Sequence, residues 1–244
     1  MKPLVSVCIP FTAGSKFIGP CIESVYRQTY PNVEIVAIGK SRSEENDTRS
    51  AQKNRAALAS KGEFIYIADA DTILKEDALE KAVEMCEGDF DFVAINNRSP
   101  SSGSVLKRVK SAEWDSVRGS LKDSAAHFFR RADLIKAGLF DESMYAGEDY
   151  DAHSRMLNMG FAFGIVDSWR LHLGEPDSWQ EVVRKNLHYG ENMPAYLSKN
   201  TIAKVSPFRL VYLKNIPSFR LLFFPFLAYK AIQYVSIFIG MVSR

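Results

Sequence analysis

Four short apolar runs alternate with three amphipathic segments in the first 95 residues, and this alternation constrains the fold more than any other feature. Short runs rich in β-branched residues predict buried strands, and apolar residues at helical spacing predict helices. Strands that alternate with helices predict a doubly wound, mainly parallel α/β sheet. The predicted strands are 5–9, 33–38, 64–68 and 90–95, and the predicted helices are 16–28, 51–60 and 76–86.

The pattern is less regular after residue 95. Residues 96–123 are rich in Ser, Gly and Lys, and a stretch of this length predicts a functional loop rather than a plain connector. Order returns at 127–130. Further helices are predicted at 131–136, 149–159 and 178–189, with a short strand at 161–166. We expect one α/β domain over 1–200 and a separate tail over 201–244.

The composition is that of an ordinary folded protein, with 46% apolar and 25% charged residues. The three cysteines have no C-x-x-C spacing, so the sequence indicates neither a disulfide framework nor a zinc site. The first residues contain no signal-peptide core. These features predict that the α/β domain lies in the cytoplasm.

The third apolar run ends in two carboxylates, Asp69 and Asp71. Alternate residues of a strand point to opposite sides, so the two carboxylates share a face only if the chain turns at Ala70. Ligands of open α/β sheets bind beyond the carboxyl ends of the strands, and hard cations that accompany phosphates take carboxylate ligands. The pattern indicates a metal and phosphate site, although a solvated acidic turn would have the same sequence.

Other segments match a family pattern in the order of the chain. Together with Asp69-Ala70-Asp71, they resemble the family 2 glycosyltransferases of GT-A fold over about residues 4–190. The matching segments are VSVCIP at 5–10, ESV at 23–25, QTYP at 28–31, KNRA at 53–56, KGEF at 61–64, FRR at 129–131, GLFDE at 138–142 and GEDYD at 147–151.

This resemblance implies site roles. Asp69 would contact the donor ribose or the metal, and Asp71 would bind Mn or Mg. Asp149 would act as the general base, with Glu148 as the alternative, although both acids could instead cap a helix. We expect the helix dipole to keep Asp149 ionised. His172 would lie near the metal and the diphosphate, or be structural. The implied donor-binding residues are Pro10, Thr12, Lys40, Arg49, Asp69, Ala70 and Asp71.

One departure from the family pattern affects donor recognition. After the second strand the family usually has an acidic DDGS segment that reads the base, whereas this chain has Gly39-Lys40-Ser41. We therefore expect a nucleotide-sugar donor of the UDP or GDP type, but its base is not implied. Lys40 or Arg49 would contact the diphosphate instead. The same residues resemble the end of a P-loop, but Glu34 stands where that motif needs glycine.

The tail is basic and apolar. Residues 201–244 contain six Lys or Arg and no acidic residue, and 221–242 is an apolar segment with Lys230 as its single charge. Basic residues among aromatics on an apolar background suit an anionic membrane surface better than nucleic acid. We expect residues 206–244 to associate with the cytoplasmic face of a membrane. A helix lying in the interface is preferred over a spanning anchor, and docking on the α/β domain is the third possibility.

The leading hypothesis is an inverting, metal-dependent glycosyltransferase that moves a sugar from a nucleotide-sugar donor to a hydroxyl of a lipid-linked or cell-surface glycan. A polyprenyl-phosphate sugar synthase is one alternative. Its acceptor phosphate needs no base, so the presence of Glu148 and Asp149 counts against it. A non-catalytic, membrane-peripheral nucleotide-sugar-binding module is another. A phosphatase of the haloacid dehalogenase type also has Asp-X-Asp after a strand, but usually Thr or Val where Ile73 stands.

Overall fold

A seven-stranded sheet forms the centre of the protein. The computed structural model describes residues 1–40, 47–121, 124–199 and 220–243. The strands lie in the order β2-β1-β3-β6-β5-β7-β4. Their bounds are β1 Val5–Thr12, β2 Val33–Lys40, β3 Phe64–Ile67, β4 Thr72–Leu74, β5 Phe92–Arg98, β6 Phe128–Arg130 and β7 Phe163–His172. The helices are α1 Ile18–Tyr26, α2 Arg49–Ala59, α3 Ala78–Glu87, α4 Val105–Val117, α5 Arg131–Lys136, α6 Glu148–Asn158, α7 Trp179–Lys199 and α8 Phe223–Val242.

Helices cover both faces of the sheet, which confirms the predicted doubly wound α/β class. Alternate side chains of β3 enter two different cores. Phe64 and Tyr66 pack with residues of α1 and α3, whereas Ile65 and Ile67 pack with residues of α2, α5 and α6. Because β3 is buried on both faces, its sequence is a continuous apolar run rather than an alternating one.

The sheet is mixed rather than purely parallel. The strands β1 and β2, β1 and β3, and β5 and β7 pair in parallel. Both β6, between β3 and β5, and β4, beside β7, are antiparallel to their neighbours. These two strands have three residues each, which is too short for a clear period in the sequence. The antiparallel pairs therefore add to the predicted class without changing it.

The prediction of a loop over 96–123 was wrong for its central part, where α4 forms. Gly103 has a φ of +101°, a conformation that L side chains rarely adopt. Ser104 then caps the helix, since its Oγ accepts a hydrogen bond from the Lys107 amide at 3.3 Å. Leu106, Val109 and Val117 form the buried side of α4. Polar residues between these apolar positions hid the helical period.

Strand β7 extends beyond the predicted 161–166 and runs to His172. Its register with β5 shifts between Ile95 and Asn96, so the strand continues past an irregularity. Its last residues pair with β4, and His172 lies opposite Thr72. This pairing brings the end of β7 beside the Asp-X-Asp segment.

The C-terminal helix α8 packs on α7 and α4. Phe226 and Tyr229 of α8 lie in a small core with Leu106 and Val109 of α4 and Val182 of α7. The opposite face of α8 is apolar and exposed. It includes Phe224, Leu227, Val235, Phe238 and Val242. Helix α8 has the length and mean hydropathy, 1.3, of a membrane span. Residues 200–219, which contain the predicted domain boundary and the first 19 residues of the predicted tail, lie outside the described residues.

Candidate active site

The carboxyl ends of β1, β2 and β3 meet at one edge of the sheet. Pro10 aligns with Ile38, and Thr12 aligns with Lys40 at the end of β2. Pro10 is buried, whereas Thr12 is exposed and Lys40 half-buried. Three of the predicted donor-binding residues therefore lie at the edge where ligands of open α/β sheets bind.

The Asp-X-Asp segment forms a turn at this edge. The Asp69 carbonyl oxygen accepts hydrogen bonds from the Thr72 amide at 3.0 Å and from Thr72 Oγ1 at 2.7 Å. The bend at Ala70, which the sequence required for a shared face, is therefore present. The Leu173 amide donates to the Asp71 carbonyl at 2.8 Å and ties the turn to the end of β7.

Both carboxylates lie around the imidazole of His172. His172 Nε2 is 4.0 Å from Asp69 Oδ2, and His172 Nδ1 is 3.9 Å from Asp71 Oδ1. Burial and the Arg170 charge lower the pKa of His172, and the two carboxylates only partly offset this. The ring is therefore neutral at neutral pH, which is the form that binds metal ions.

Two guanidinium groups contact Asp69. Arg170 Nη1 lies 3.4 Å from Asp69 Oδ2, and Arg49 Nη1 lies 3.6 Å from Asp69 Oδ1. Burial alone would raise the pKa of Asp69, but these arginines outweigh burial and hold that pKa well below its usual range. The two arginines differ in access, because the Arg170 side chain is 4% exposed and that of Arg49 is 58% exposed.

The second acidic motif lies at the start of α6, after Gly147, which has a φ of +83°. Glu148 Oε1 accepts a hydrogen bond from Lys53 Nζ at 2.7 Å, and both side chains are buried. Asp149 is half-buried, and its Oδ1 accepts from the Tyr150 amide at 2.9 Å. Glu148 is thus held in an ion pair, and Asp149 is the more accessible of the two acids.

The pKa of Asp149 is raised, whereas the helix N-terminus alone would lower it, and the group still stays mostly ionised at neutral pH. Burial and the neighbouring charge of Glu148 raise the pKa of Asp149 to about 6, and the Lys53 charge offsets this only in part. The Asp69 charge also contributes to raising this pKa, which indicates that the two acidic motifs lie near each other. A carboxyl group of this pKa accepts and releases protons near neutral pH.

The donor set fits a hard divalent cation only in part. In the described part of the chain, no three His, Cys, Asp or Glu side chains are arranged to hold a metal ion by themselves. Asp69 is engaged by two arginines, whereas Asp71 is 33% exposed and adjoins the neutral ring of His172. Mn or Mg is commonly bound by one or two carboxylates together with substrate phosphate oxygens, and Asp71 with His172 suits that mode.

Four residues that the sequence reading gave no role adjoin this site. Gly174 lies so close to Asp71 that a Cβ there would be 2.0 Å from Asp71 Oδ2. Trp114 stacks on His172 with ring centroids 6.4 Å apart. Lys53 and Arg170 pair with Glu148 and Asp69. Lys53 lies in a segment that matched the family pattern, and Arg170 lies two residues before His172. Trp114 could not be found from the sequence, because α4 was predicted as a loop.

The fold is shared with solved glycosyltransferases. A mannosyltransferase, PcManGT from Pyrobaculum calidifontis in complex with GDP-Man and Mn2+, aligns with a TM-score of 0.66 at 15% identity over 100% of this chain and 87% of that one. S. aureus TarS aligns with a TM-score of 0.55 at 13% identity over 98% of this chain and 55% of that one. The fold class is therefore GT-A.

Sequence comparisons find similar glycosyltransferases. The model of glycosyl transferase family 2 matches residues 40–144. Glycosyltransferase GlyG of Streptococcus pneumoniae serotype 4 is 27% identical, over 64% of each chain, and an uncharacterized glycosyltransferase of Methanocaldococcus jannaschii is 22% identical, over 77% of each. The chain thus spans 64% of the length of GlyG. These matches support the resemblance to the family 2 glycosyltransferases that the motifs indicated.

Proposed function

We propose that this protein is an inverting, metal-dependent glycosyltransferase that moves a sugar from a nucleotide-sugar donor to a hydroxyl of a lipid-linked or cell-surface glycan. One observation carries the proposal. The carboxylates of Asp69 and Asp71 flank His172, and the Asp69 charge contributes to raising the pKa of the nearby Asp149 to about 6. The arrangement supplies a place for a diphosphate and a base for the incoming hydroxyl.

Asp149 is the proposed general base. It accepts the proton of the acceptor hydroxyl during attack on the anomeric carbon, and attack from the face opposite the diphosphate inverts that centre. Glu148 is not the better choice, because the buried Lys53 ammonium occupies it at 2.7 Å. Glu148 instead keeps a negative charge beside Asp149 and so helps to hold the pKa of Asp149 close to neutral.

The proposed donor site lies at the carboxyl edge of the sheet. The exposed Arg49 contacts the diphosphate, and the buried Arg170 orients Asp69. Asp71, with Asp69 and His172, would hold a Mn or Mg ion, and that ion would supply positive charge to stabilise the departing diphosphate. Pro10, Thr12, Lys40 and Ala70 line the same edge. The solved relatives include TarS in complex with UDP and PcManGT with GDP-Man and Mn2+.

The exposed apolar face of α8 supports membrane association, and the cytoplasmic face is the side that we propose. Phe224 and Phe238 are 79% and 61% exposed, while the opposite face of α8 is packed on the domain. A helix with one docked face and one apolar face suits the interface plane, as the sequence suggested. A lipid-linked acceptor would then lie within reach of the site.

The test is a screen of UDP and GDP sugars for Mn2+-dependent nucleotide release and for stabilisation against heat. A ligand that binds only the folded protein raises its melting temperature. We expect one donor to do so only with Mn2+, and Asp71→Asn to lose that shift. Nucleotide release without any metal requirement would contradict metal dependence, and binding without release under all conditions would favour a binding module.

A further inference from the structure

The C-terminal helix is connected to the active site through a buried charge cluster on α4. Glu113 of α4 accepts a hydrogen bond from Lys110 Nζ at 2.7 Å and a second one from Lys230 Nζ of α8. The three side chains are only 10% to 12% exposed. Lys230 Nζ also donates to Gln233 Oε1 at 2.9 Å. The single charge of the apolar segment 221–242 is therefore used inside the protein, as a partner of Glu113.

The residue after Glu113 reaches the donor cleft. The indole of Trp114 lies parallel to the His172 ring, with an interplanar angle of 11° and centroids 6.4 Å apart. Trp114 Nε1 donates to Glu175 Oε1 at 3.2 Å, and Lys110 Nζ is 4.9 Å from the centre of the Trp114 ring. Helix α4 thus carries the charge cluster on one residue and a contact to the Asp-X-Asp site on the next.

A second contact fixes α8 in this position. Gly190 of α7 and Gly240 of α8 lie where the two helices cross. A Cβ on Gly190 would be 2.1 Å from the backbone of α8, and a Cβ on Gly240 would be 2.2 Å from the backbone of α7. Such a close approach needs glycine on both helices. The crossing holds the C-terminal part of α8, and Lys230 with Glu113 holds its centre.

We propose that α8 belongs to the catalytic unit, with Lys230 and Glu113 as positioning residues that fix α4 so that Trp114 holds His172 between Asp69 and Asp71. This inference rests on the proposed function and assigns the tail a role in the chemistry besides membrane contact. A buried carboxylate that loses one of its partners must shift to regain solvent or charge, and α4 would shift with it.

Replacing Lys230 tests this coupling. We expect Lys230→Met to lower kcat for Mn2+-dependent nucleotide release about tenfold, because misplacing a reacting group by about an ångström costs up to about a hundredfold in rate. The donor KM should change less than about threefold. Lys230→Arg should restore most of kcat. Lys2→Met, which removes an exposed lysine paired with Glu80, is the matched control and should equal the wild type. Equal kcat for Lys230→Met and Lys2→Met would overturn the inference.

Tryptophan emission provides a readout that does not need activity. The chain has three tryptophans, so Trp169→Phe with Trp179→Phe leaves Trp114 as the reporter. In that background, Lys230→Met, or Glu113→Gln if the first variant does not fold, should shift the Trp114 emission to the red and increase acrylamide quenching. Unchanged emission and quenching would overturn the inference. If no donor releases nucleotide from the wild type, the proposed function fails, while emission still decides whether α8 positions Trp114.

Discussion

Two glutamates in the described part of the chain are buried and paired with lysine, and the two pairs have different proposed roles. Glu148 has one lysine partner, Lys53, and stands next to Asp149 in the cleft. Glu113 has two, Lys110 and Lys230, and stands away from the proposed chemistry. At Glu113, burial raises the pKa but the two lysines outweigh it, so the pKa falls below its usual range and the group stays ionised.

The difference lies in the neighbours of each glutamate. The two lysines hold Glu113 ionised, so the effect of this cluster is on position. In the cleft, Glu148 is paired with Lys53 and stands beside Asp149, and burial together with the Glu148 charge raises the pKa of Asp149 to about 6. One cluster fixes geometry, and the other prepares a group to accept a proton.

Replacing Asp149 is expected to have the largest effect. Asp149→Asn removes the proposed base, so transfer should fall by about a hundredfold to ten-thousandfold, the usual range for general base catalysis. Nucleotide release in the presence of the acceptor measures the loss, and the exposed Asp89→Asn is the control. A variant that keeps its transfer rate would point to an acceptor that is already ionised, such as a polyprenyl phosphate.

Lys53→Met tests whether the cleft pair also stabilises the fold. It leaves the Glu148 carboxylate buried without its cation, which should cost about 3 to 5 kcal/mol in the free energy of unfolding. Lys2→Met, which removes the exposed pair of Lys2 with Glu80, should cost about 0 to 1 kcal/mol. Urea denaturation measures both. A loss for Lys53→Met no larger than that for Lys2→Met would mean that the carboxylate finds solvent or another partner.

Much of the cleft could be predicted from the sequence because its residues come from regular strands and motifs. The run that ends at Asp69 and Asp71 indicated both the sheet edge and the site, and the required turn at Ala70 is present. The motif at Glu148 and Asp149 was visible for the same reason. Their roles as metal ligands and base stay predictions.

The second cluster could not be predicted, because it depends on contacts between distant residues. Glu113 and Lys230 are 117 residues apart, and α4 was hidden by its polar residues. Lys230 lies in the apolar segment for which the sequence favoured a helix in a membrane interface, and the sequence alone does not show that Lys230 pairs with a buried carboxylate. Tertiary partners decide such cases, and local pattern carries no information about them.

Gly174→Ala tests how finely the cleft is fitted. The new methyl group would meet Asp71 Oδ2, the end of a side chain that can rotate away, so stability should change by less than about 1 kcal/mol. The rotated carboxylate would be misplaced, and kcat/KM should fall by about tenfold to a hundredfold. Gly19→Ala, where nothing lies within 4 Å, is the control. Full activity in Gly174→Ala would argue against a role for Asp71.

The pH dependence should separate the two clusters. An aspartate in an unfolded chain has a pKa of about 3.9, and in the folded protein that of Asp149 is raised to about 6, so the folded state binds the extra proton between these values. Its contribution to stability is therefore present at low pH and is lost as the pH rises through about 6. The base form appears over the same range, and kcat/KM should fall about tenfold per pH unit below it.

Variants of the two clusters should affect this acidic limb differently. Lys53→Met should move it to higher pH, because the Lys53 charge lowers the pKa of Asp149. Glu113→Gln should reduce kcat without moving the limb, since Glu113 is already ionised throughout this range. Rates measured from pH 5 to about 8, where catalytic groups commonly titrate, would show both effects. A limb that moves in Glu113→Gln would mean that the two clusters are one electrostatic unit, because only a direct influence on Asp149 could shift its titration.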